Sequence, residues 1–244
     1  MVSVWHTPFL RVVSRTLSES RDDQGVFGLK HDILNAAPSD SARRSLGLGR
    51  AYVKWGKRAM DIAVSVLLLP LLAVCCALLV VLNPFFNRGP LFYVQPRMGR
   101  HCAAFSAIKF RTMKPAERVM RRAEDPLEHD RITPLGRVLR KCRIDELPQI
   151  LNVLRGEMSL IGPRPDYFHH ARRYMRSVSG YRRRHDVRPG ISGLAQIDLG
   201  YVENSEDTRK KVLLDLQYVD RIGPRLDLYL FWRTLVIVFC GKGC

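Results

Sequence analysis

The stretch Ile62–Leu82, with the sequence IAVSVLLLPLLAVCCALLVVL, is the most apolar part of the chain, and Ser65 is its only hydroxyl residue. At about 1.5 Å per residue, a helix of this length could just cross a hydrocarbon core of roughly 30 Å. A buried helix of a soluble protein is the alternative, but one this long and this uniformly apolar is unusual in a chain of 244 residues. The stretch therefore predicts a membrane helix.

The residues within and around this stretch predict how the helix enters the membrane. Pro70 lies in the middle of the run, where it removes a backbone donor and favours a bend. Both flanks are basic, with Arg43, Arg44, Arg50, Lys54, Lys57 and Arg58 before the run and Arg88, Arg97, Arg100, Lys109 and Arg111 after it. A spanning helix would place one cluster outside, against the positive-inside bias, whereas a helix that bends and returns keeps both in the cytosol. We therefore predict a re-entrant helix broken at Pro70, with an ordinary Pro-kinked transmembrane helix as the alternative.

The whole chain is strongly basic, with 40 Lys and Arg residues against 23 Asp and Glu residues and a net charge of +17. Such an excess indicates an anionic partner, which could be nucleic acid, acidic lipid or a phosphorylated substrate. The densest basic segment contains Arg172, Arg173, Arg176, Arg182, Arg183, Arg184 and Arg188, with Tyr174 and Tyr181 among them. A nucleic-acid surface can have this composition, but a soluble nucleic-acid-binding protein has no place for the apolar run. We therefore interpret the segment as a solvated face near acidic headgroups and predict no nucleic-acid partner.

The remaining sequence predicts one catalytic domain with appendages. Residues 1–50 lack sustained apolar periodicity and an apolar signal core, which indicates a flexible polar extension and no signal peptide. Residues 51–88 are expected to form the re-entrant membrane helix, residues 89–225 a cytosolic catalytic domain, and residues 226–244 a C-terminal interfacial helix. A packed core helix is the alternative for the last segment. The predicted fold class is α/β, rich in helix, in a membrane-associated monotopic arrangement with amphipathic interfacial helices.

Short strands and helices are predicted inside the catalytic domain. Leu91–Val94 and Phe105–Phe110 are typical of strands, and Pro134–Arg140 is typical of a helix. Pro148 suits the first position of a further helix, so the acidic residues just before it lie at or near a helix start. The six cysteines show no spacing typical of a metal site or a disulfide framework, which favours a reducing cytosol.

The acidic pair Asp145-Glu146 stands among cations in the sequence RKCRIDELPQ, residues 140–149. Adjacent carboxylates repel one another, and this arrangement suits a divalent metal together with a phosphorylated ligand. One carboxylate can hold Mg²⁺ while the other attacks phosphorus. Taken alone, such a pattern is more often a solvated, ion-paired surface.

Two later motifs place an arginine next to proline, namely Gly162-Pro163-Arg164-Pro165 and Arg188-Pro189-Gly190. Proline fixes the neighbouring backbone, which suits recognition of a phosphate or a nucleobase by a planar guanidinium. Turn-forming proline and glycine around any surface arginine would look the same, so neither motif identifies a site in isolation.

Five motifs that follow one another in a fixed order resemble the monotopic phosphoglycosyl transferases, the bacterial sugar transferase family. They are Lys57-Arg58 with Asp61 before the apolar helix, Lys109-Phe110-Arg111-Thr112-Met113, Asp145-Glu146-Leu147-Pro148-Gln149, Gly162-Pro163-Arg164-Pro165 and Arg188-Pro189-Gly190. The resemblance covers nearly everything from about Trp55 to the C-terminus. Several members that start exopolysaccharide repeat units are similar.

The resemblance implies a two-step transfer through a covalent intermediate. Asp145 matches the family nucleophile, which attacks the sugar-bearing phosphate of a UDP-sugar and expels UMP before polyprenyl (undecaprenyl) phosphate accepts the phosphosugar. Glu146 matches the Mg²⁺ ligand, and Arg140 matches a phosphate-contacting arginine. The other predicted substrate-binding residues, all within the family motifs, are Lys109, Arg111, Pro163, Arg164, Pro165 and Arg188.

The resemblance also implies a location and partners. The location is the bacterial inner membrane, with the catalytic domain on the cytoplasmic face, and the reaction is the first membrane step of exopolysaccharide or related glycan assembly. The expected partners are a UDP-sugar, undecaprenyl phosphate and anionic membrane lipids, while the identity of the sugar and homo-oligomerisation stay open. A catalytically silent membrane scaffold of a polysaccharide-assembly complex is the alternative function.

Two positions depart from the family pattern. Leu69 precedes Pro70, where many members have serine, so the helix bend here would need a different side-chain hydrogen bond. Arg143 stands two residues before Asp145, where a small hydroxyl residue is common, and this substitution bears on the local phosphate geometry.

Overall fold

In the computed structural model, the described residues are 52–114, 129–199 and 205–239. They all belong to Leu48–Cys244, the second of the two units into which the chain divides. The predicted polar extension over residues 1–50 and the last five residues of the predicted C-terminal segment, 240–244, lie outside the described residues. The predicted domain boundaries therefore stay predictions.

The predicted membrane helix is present and is longer than the apolar run. A π-helical turn, Tyr52–Gly56, leads into helix α1, Lys57–Phe86, which has 30 residues and a length of about 45 Å. The helix continues through Pro70 and ends two residues beyond Pro84. It is, among the described residues, the one helix long and apolar enough to cross a membrane by length and composition. Only 17% of its most apolar window is buried, which is atypical of the core helix of a soluble protein.

One face of α1 packs against the rest of the protein along its whole length. The buried residues recur at helical spacing and are Lys57, Asp61, Ser65, Leu72, Leu79 and Asn83. The opposite face is exposed and apolar, and includes Val66, Leu67, Leu71, Val74, Leu78, Val81 and Phe85. A helix with one face packed on protein and the other formed by leucine, valine and phenylalanine is suited to contact lipid.

Polar contacts hold the two ends of α1 to residues that follow it in the chain. At the start of the helix, Lys57 Nζ donates to Asp227 Oδ2 at 2.7 Å. Immediately past its end, Asn87 Nδ2 donates to the Arg111 carbonyl at 2.7 Å. Both ends of the helix are therefore attached to the same unit of the protein.

The two predicted strands are confirmed and form an antiparallel hairpin. Strand β1, Phe92–Met98, pairs over its full length with strand β2, Ala104–Phe110. In the turn between them, His101 and Cys102 adopt left-handed backbone conformations, with φ of 55° and 61°. The hairpin directs Lys109, on β2, towards the segment that contains the acidic pair.

Short elements make up the rest of the described chain. In order they are a 3₁₀ turn His129–Arg131, α2 Pro134–Lys141, a 3₁₀ turn Ile144–Glu146, α3 Gln149–Arg155, β3 Ser159–Ile161, α4 Phe168–Ser177, a 3₁₀ turn Tyr181–His185, β4 Gly190–Ser192, α5 Leu194–Asp198, α6 Ser205–Arg221 and α7 Pro224–Phe239. Strands β3 and β4 are parallel neighbours. The helix predicted from Pro134 is confirmed, while the next helix begins at Gln149, with Pro148 at the N-cap instead of the first helical position.

Two clusters of buried apolar residues form the core. The first surrounds β3 and consists of Val153, Met158, Leu160, Ile161, Leu194, Tyr218 and Leu230. The second joins α1 to β2, α2 and α3 and consists of Leu72, Leu79, Phe110, Leu139 and Ile150. Asp61 of α1 reaches the first cluster, because its Oδ1 accepts from Ser159 Oγ and Leu160 N, each at 3.0 Å. Helix α1 is thus part of both cores.

The C-terminal helix α7 packs one face in the core, as the alternative prediction expected, and the interfacial location stays a prediction. Its Asp227 and Leu230 are fully buried, so one face packs in the core. Leu228 and Trp232 are exposed on the same helix, which leaves an apolar surface of the kind an interfacial helix presents. Together with the two small two-stranded sheets, these helices confirm the helix-rich α/β class.

Candidate active site

The acidic pair lies in a tight turn between α2 and α3. Arg143 adopts a left-handed backbone conformation with φ of 53°, which turns the chain out of α2. The 3₁₀ turn that follows is closed by a hydrogen bond from Leu147 N to the Ile144 carbonyl at 3.0 Å. Asp145 and Glu146 are consequently only 8% and 5% exposed. The more common interpretation of the sequence pattern, a solvated ion-paired surface, is therefore wrong for this pair.

Two cations from other elements hold Glu146. Lys109 Nζ, on β2, donates to Glu146 Oε1 at 2.6 Å. Arg164, in the loop after β3, donates with Nη1 to Oε2 at 3.0 Å and with Nη2 to Oε1. Burial alone would raise the pKa of Glu146, but the Arg164 guanidinium and the Lys109 ammonium hold this pKa well below its usual range. Glu146 is therefore an ionised carboxylate that binds two cations.

Asp145 differs from the adjacent Glu146 in its hydrogen bonding and in the direction of its pKa shift. Its carboxylate makes no hydrogen bond to the part of the chain that the structure describes. Burial raises the pKa of Asp145, Lys109 opposes this rise, and the adjacent Glu146 charge adds to it. A buried carboxylate without hydrogen-bond donors has an oxygen available for reaction, and this distinguishes Asp145 from Glu146.

A small cavity beside the acidic pair is lined by positive charge. Its volume is about 10 Å³, and its lining residues are Arg97, Ala107, Lys109, Gln149, Arg164 and Pro165. Arg140 adds a further cation that stabilises the Asp145 charge, and its Nε donates to Thr112 Oγ1 at 2.9 Å. We refer to Arg97, Lys109, Arg140, Asp145, Glu146 and Arg164 as the Glu146 cluster. Its four cations exceed its two carboxylates, so the cluster is suited to bind an anion.

The acidic pair could hold a Mg²⁺ ion together with a phosphorylated ligand. Among residues 52–114, 129–199 and 205–239, no group of three or more His, Cys, Asp or Glu side chains could hold a metal. Mg²⁺ commonly binds through only one or two carboxylates, with phosphate and water oxygens as its other ligands. A carboxylate has about four lone-pair positions. Glu146 uses three of them for Lys109 and Arg164, which leaves one on Oε2.

Comparison with known proteins identifies the family. The family model described as bacterial sugar transferase matches residues 52–241. The chain belongs to the bacterial sugar transferase family. The resemblance inferred from the five sequence motifs is therefore confirmed.

Several curated bacterial sugar transferases are similar to this chain. UDP-N-acetylgalactosamine-undecaprenyl-phosphate N-acetylgalactosaminephosphotransferase of Aeromonas hydrophila is 39% identical over 77% of this chain and 44% of its own length. UDP-glucose:undecaprenyl-phosphate glucose-1-phosphate transferase of Caulobacter vibrioides is 34% identical over 96% of this chain and 86% of its own length. Exopolysaccharide production protein PSS of Rhizobium leguminosarum bv. phaseoli is 35% identical over 77% of this chain and 97% of its own length. The chain thus spans less than half of the Aeromonas relative.

Not all predicted site residues of this bacterial sugar transferase come together. Arg188 Nε donates to the Gly156 carbonyl at 2.9 Å, at the C-terminal end of α3. Arg111 Nε donates to the Pro90 carbonyl at 2.7 Å and fixes the loop after α1. These hydrogen bonds lie outside the Glu146 cluster. The substrate-binding roles of both arginines stay predictions.

The two proline motifs have a packing role as well. Pro165 lines the cavity, whereas the Pro163 carbonyl accepts from Gly190 N at 3.0 Å and joins the two motifs. A Cβ atom on Gly190 would collide with the backbone of Gly162. Glycine is therefore required where β3 and β4 approach each other, and this contact brings the Arg164 loop to the acidic pair.

Sequence reasoning missed Arg97 and misinterpreted Arg184. Arg97 lines the cavity, and its Nη1 donates to the Pro165 carbonyl at 2.9 Å. The signal that could have identified it is an arginine in the connection between the two predicted strands, Leu91–Val94 and Phe105–Phe110. Arg184 was expected on a solvated basic face but is only 2% exposed, because two aspartates, Asp166 and Asp215, neutralise it.

Proposed function

We propose that this chain transfers a sugar 1-phosphate from a UDP-sugar to undecaprenyl phosphate and releases UMP. The names of the Aeromonas and Caulobacter relatives describe this type of transfer, with N-acetylgalactosamine and glucose as the respective sugars. The observation that carries the proposal is the state of Asp145, a buried carboxylate without a hydrogen bond inside a cluster with excess positive charge. Such a group is suited to attack an anionic phosphate that the neighbouring cations attract.

The first chemical step joins Asp145 to the phosphosugar. A bond forms between an Asp145 carboxylate oxygen and the sugar-bearing phosphorus, and the bond from that phosphorus to the bridging oxygen breaks. UMP leaves with the electron pair on its phosphate oxygen. Lys109 and Arg164 are placed to stabilise the charge on the phosphoryl oxygens, because they already surround the adjacent Glu146 carboxylate.

The second step regenerates Asp145. A phosphate oxygen of undecaprenyl phosphate attacks the same phosphorus, and the bond to Asp145 breaks to restore its carboxylate. The product is an undecaprenyl diphosphate sugar. Mg²⁺ held by Glu146 would supply further neutralisation of diphosphate charge when bound. Through its ion pairs, Glu146 keeps Lys109 and Arg164 beside the reacting group.

The proposal includes one-sided attachment to the cytoplasmic face of the bacterial inner membrane. Attachment of both ends of α1 to the same unit supports a re-entrant helix, since a spanning helix would carry its far end away from the catalytic domain. The exposed apolar faces of α1 and α7 would contact acyl chains, and basic residues beside them would bind anionic lipids. The acceptor phosphate and the cytosolic nucleotide sugar then meet at one nucleophile.

The decisive experiment uses the purified full chain in lipid vesicles with undecaprenyl phosphate and a panel of labelled UDP-sugars, with Mg²⁺ or with EDTA. We expect metal-dependent labelled lipid from one sugar, with UDP-glucose and UDP-N-acetylgalactosamine tested first. Asp145→Asn should abolish the product, whereas Asp186→Asn, which changes an exposed aspartate, should not. Folded, membrane-bound protein that labels no lipid with any sugar would favour the scaffold alternative.

The covalent intermediate requires a separate measurement. Without undecaprenyl phosphate, enzyme incubated with UDP-sugar labelled in its sugar should retain the label after denaturation, with one UMP released for each labelled chain. Asp145→Asn should retain none. Labelled lipid formed without any labelled protein, even under rapid quenching, would mean that the lipid attacks the UDP-sugar directly.

The membrane arrangement is tested by labelling from outside. Cysteines introduced at Arg88 and at Val53, in a variant whose natural cysteines are replaced, should both resist an impermeant reagent in intact spheroplasts. Both should react after lysis. Labelling of only one of the two positions in intact spheroplasts would show that α1 spans the membrane.

A further inference from the structure

In the loop that carries Arg164, consecutive main-chain carbonyls all accept hydrogen bonds from residues outside the loop. Four consecutive carbonyls, those of Pro163, Arg164, Pro165 and Asp166, accept respectively from Gly190 N at 3.0 Å, Arg184 Nη2 at 2.6 Å, Arg97 Nη1 at 2.9 Å and Met98 N at 3.1 Å. Side chains supply two of these four donors. The path of the loop, and hence the origin of the Arg164 side chain, is therefore fixed from outside the loop.

The Asp166 carboxylate anchors the end of this loop. Lys211 Nζ donates to Asp166 Oδ1 at 2.5 Å, and Tyr181 Oη donates to Oδ2 at 2.7 Å. Arg184 Nη1 also donates to Oδ2. Although burial alone would raise the pKa of Asp166, Lys211 and Arg184 hold it far below its usual range. We refer to Asp166, Tyr181, Arg184, Lys211 and Asp215 as the Asp166 network.

Arg184 connects this network to the active site. One of its terminal nitrogens donates to Asp166, while the other donates to the Arg164 carbonyl and lies 2.7 Å from Asp215 Oδ2 as an ion pair. A planar guanidinium can serve a carboxylate and a carbonyl at once in a fixed geometry, which a lysine ammonium cannot reproduce. Arg164 in turn donates hydrogen bonds to the Glu146 carboxylate from both of its terminal nitrogens.

We propose that Arg184 is a positioning residue that fixes the Arg164 main chain, so that the Arg164 guanidinium holds Glu146 beside Asp145. Arg184 itself does not touch the substrate in this arrangement. The inference rests on the proposed function only where transfer activity is the readout, because the hydrogen bonds it invokes can be measured without substrate.

The first test compares Arg184→Lys with Arg183→Lys in the full chain. Arg183 is the matched control, since it is adjacent and pairs with Asp220 on the surface at 2.8 Å. Arg184→Lys should lower the transfer rate constant by about 10- to 100-fold, the order of loss that a displacement of about 1 Å produces, with a smaller change in KM for the UDP-sugar. Arg183→Lys should leave both unchanged. Equal kinetic losses in the two variants, or none in Arg184→Lys, would refute positioning.

A double-substitution comparison separates positioning from general damage. If Arg184 acts through Arg164, the variant with both Arg164→Lys and Arg184→Lys should transfer no more slowly than Arg164→Lys alone. Multiplied losses in the double variant would show that Arg184 acts independently of Arg164, and would overturn the inference.

Amide hydrogen exchange supplies the readout that needs no activity. Met98 N and Gly190 N donate to the loop carbonyls, so both should exchange faster in Arg184→Lys and at the wild-type rate in Arg183→Lys. If the wild type transfers no sugar at all, the proposed function fails while this measurement still tests the loop. Unchanged exchange at both amides would overturn the inference. Should Arg184→Lys not accumulate, Tyr181→Phe, which removes one donor to Asp166, should show the same effects at smaller size.

Discussion

The Glu146 cluster and the Asp166 network are built on the same plan and differ in charge balance. In each, one carboxylate accepts hydrogen bonds from an arginine and a lysine. These donors are Arg164 and Lys109 for Glu146, and Arg184 and Lys211 for the partly buried Asp166. The Asp166 network has two cations and two carboxylates and is neutral. The Glu146 cluster has two more cations than carboxylates, and three of its cations, Arg97, Lys109 and Arg164, line a cavity.

This difference separates a structural role from a chemical one. A neutral network in which each carboxylate is paired with a cation needs no further ligand, so it can lie inside the protein. A cluster with excess positive charge is completed by an anion, and it retains one carboxylate, Asp145, without a hydrogen bond. Four substitutions test this comparison, and their expected effects decrease in the order given.

Asp145→Asn should remove transfer activity without lowering the stability of the fold. Loss of the nucleophile should reduce transfer by at least about 10³-fold. Because the pKa of Asp145 is raised, its ionised form is disfavoured in the folded protein, so removing the charge should raise the Tm or leave it unchanged. Transfer assays and thermal unfolding in detergent would check both effects. A lower Tm would show that Asp145 stabilises the fold and does not differ from Glu146 in this respect.

Glu146→Gln, in contrast to Asp145→Asn, should destabilise the fold. It leaves Lys109 and Arg164 without their shared anion, which should destabilise the fold by about 3 kcal/mol. Transfer should also lose its dependence on added Mg²⁺ if Glu146 holds the ion. Denaturant unfolding measures the first effect, and the exposed pair variant Asp220→Asn serves as a control with almost no expected change. Equal stability of the Glu146→Gln and Asp220→Asn variants would mean that the Glu146 pairs contribute no more than surface pairs.

Asp166→Asn should make the free energy of unfolding depend less steeply on pH in the acidic range. The folded pKa of Asp166 is depressed, so its contribution is present above the unfolded value near 3.8 and is lost as pH falls below it. The wild type should therefore lose stability below about pH 4 more steeply than Asp166→Asn, which should be less stable at pH 7. Unfolding curves between pH 2 and pH 7 would show this. Parallel profiles for the two proteins would argue that Asp166 is not an ion-paired carboxylate.

Lys109→Met should shift the pH dependence of transfer. Lys109 is the strongest influence that lowers the pKa of Asp145, so its removal should raise this pKa and move the acidic limb to higher pH. Arg140→Met should cause a smaller shift in the same direction, since Arg140 contributes less. Lys141→Met, which changes an exposed residue, is the matched control and should leave the profile in place. An unchanged limb in Lys109→Met would indicate that Asp145 does not titrate in that limb.

The sequence predicted those features that short stretches of residues determine by themselves. The apolar run from Ile62, the hairpin strands and the helix start just after the acidic pair are all local patterns, and they appear at or within a few residues of the expected positions. Short stretches of sequence do not determine the α1 bend at Pro70 or the role of Mg²⁺. The bend depends on the surrounding lipid, and the role of Mg²⁺ depends on the bound ligand. They stay predictions.

The contacts that sequence reasoning missed join residues far apart in the chain. Arg97 meets a carbonyl 68 residues away in the chain, and Lys57 meets Asp227 across 170 residues. Arg184 lies in a run of arginines that are mostly exposed, and only the folding of Asp166 and Asp215 around it makes it a buried group. No periodicity or spacing distinguishes it from its neighbours.

The link between Lys57 and Asp227 has a consequence for how the protein is made. A ribosome adds roughly 5–20 residues per second, so the 170 residues between the two partners take on the order of ten seconds or more to synthesise. Throughout that interval the membrane helix has left or is leaving the ribosome while the partner of its lysine does not yet exist. The contact that holds the start of α1 to α7 can therefore form only after translation has passed Asp227, so α1 is synthesised long before its start can be fixed in its final position.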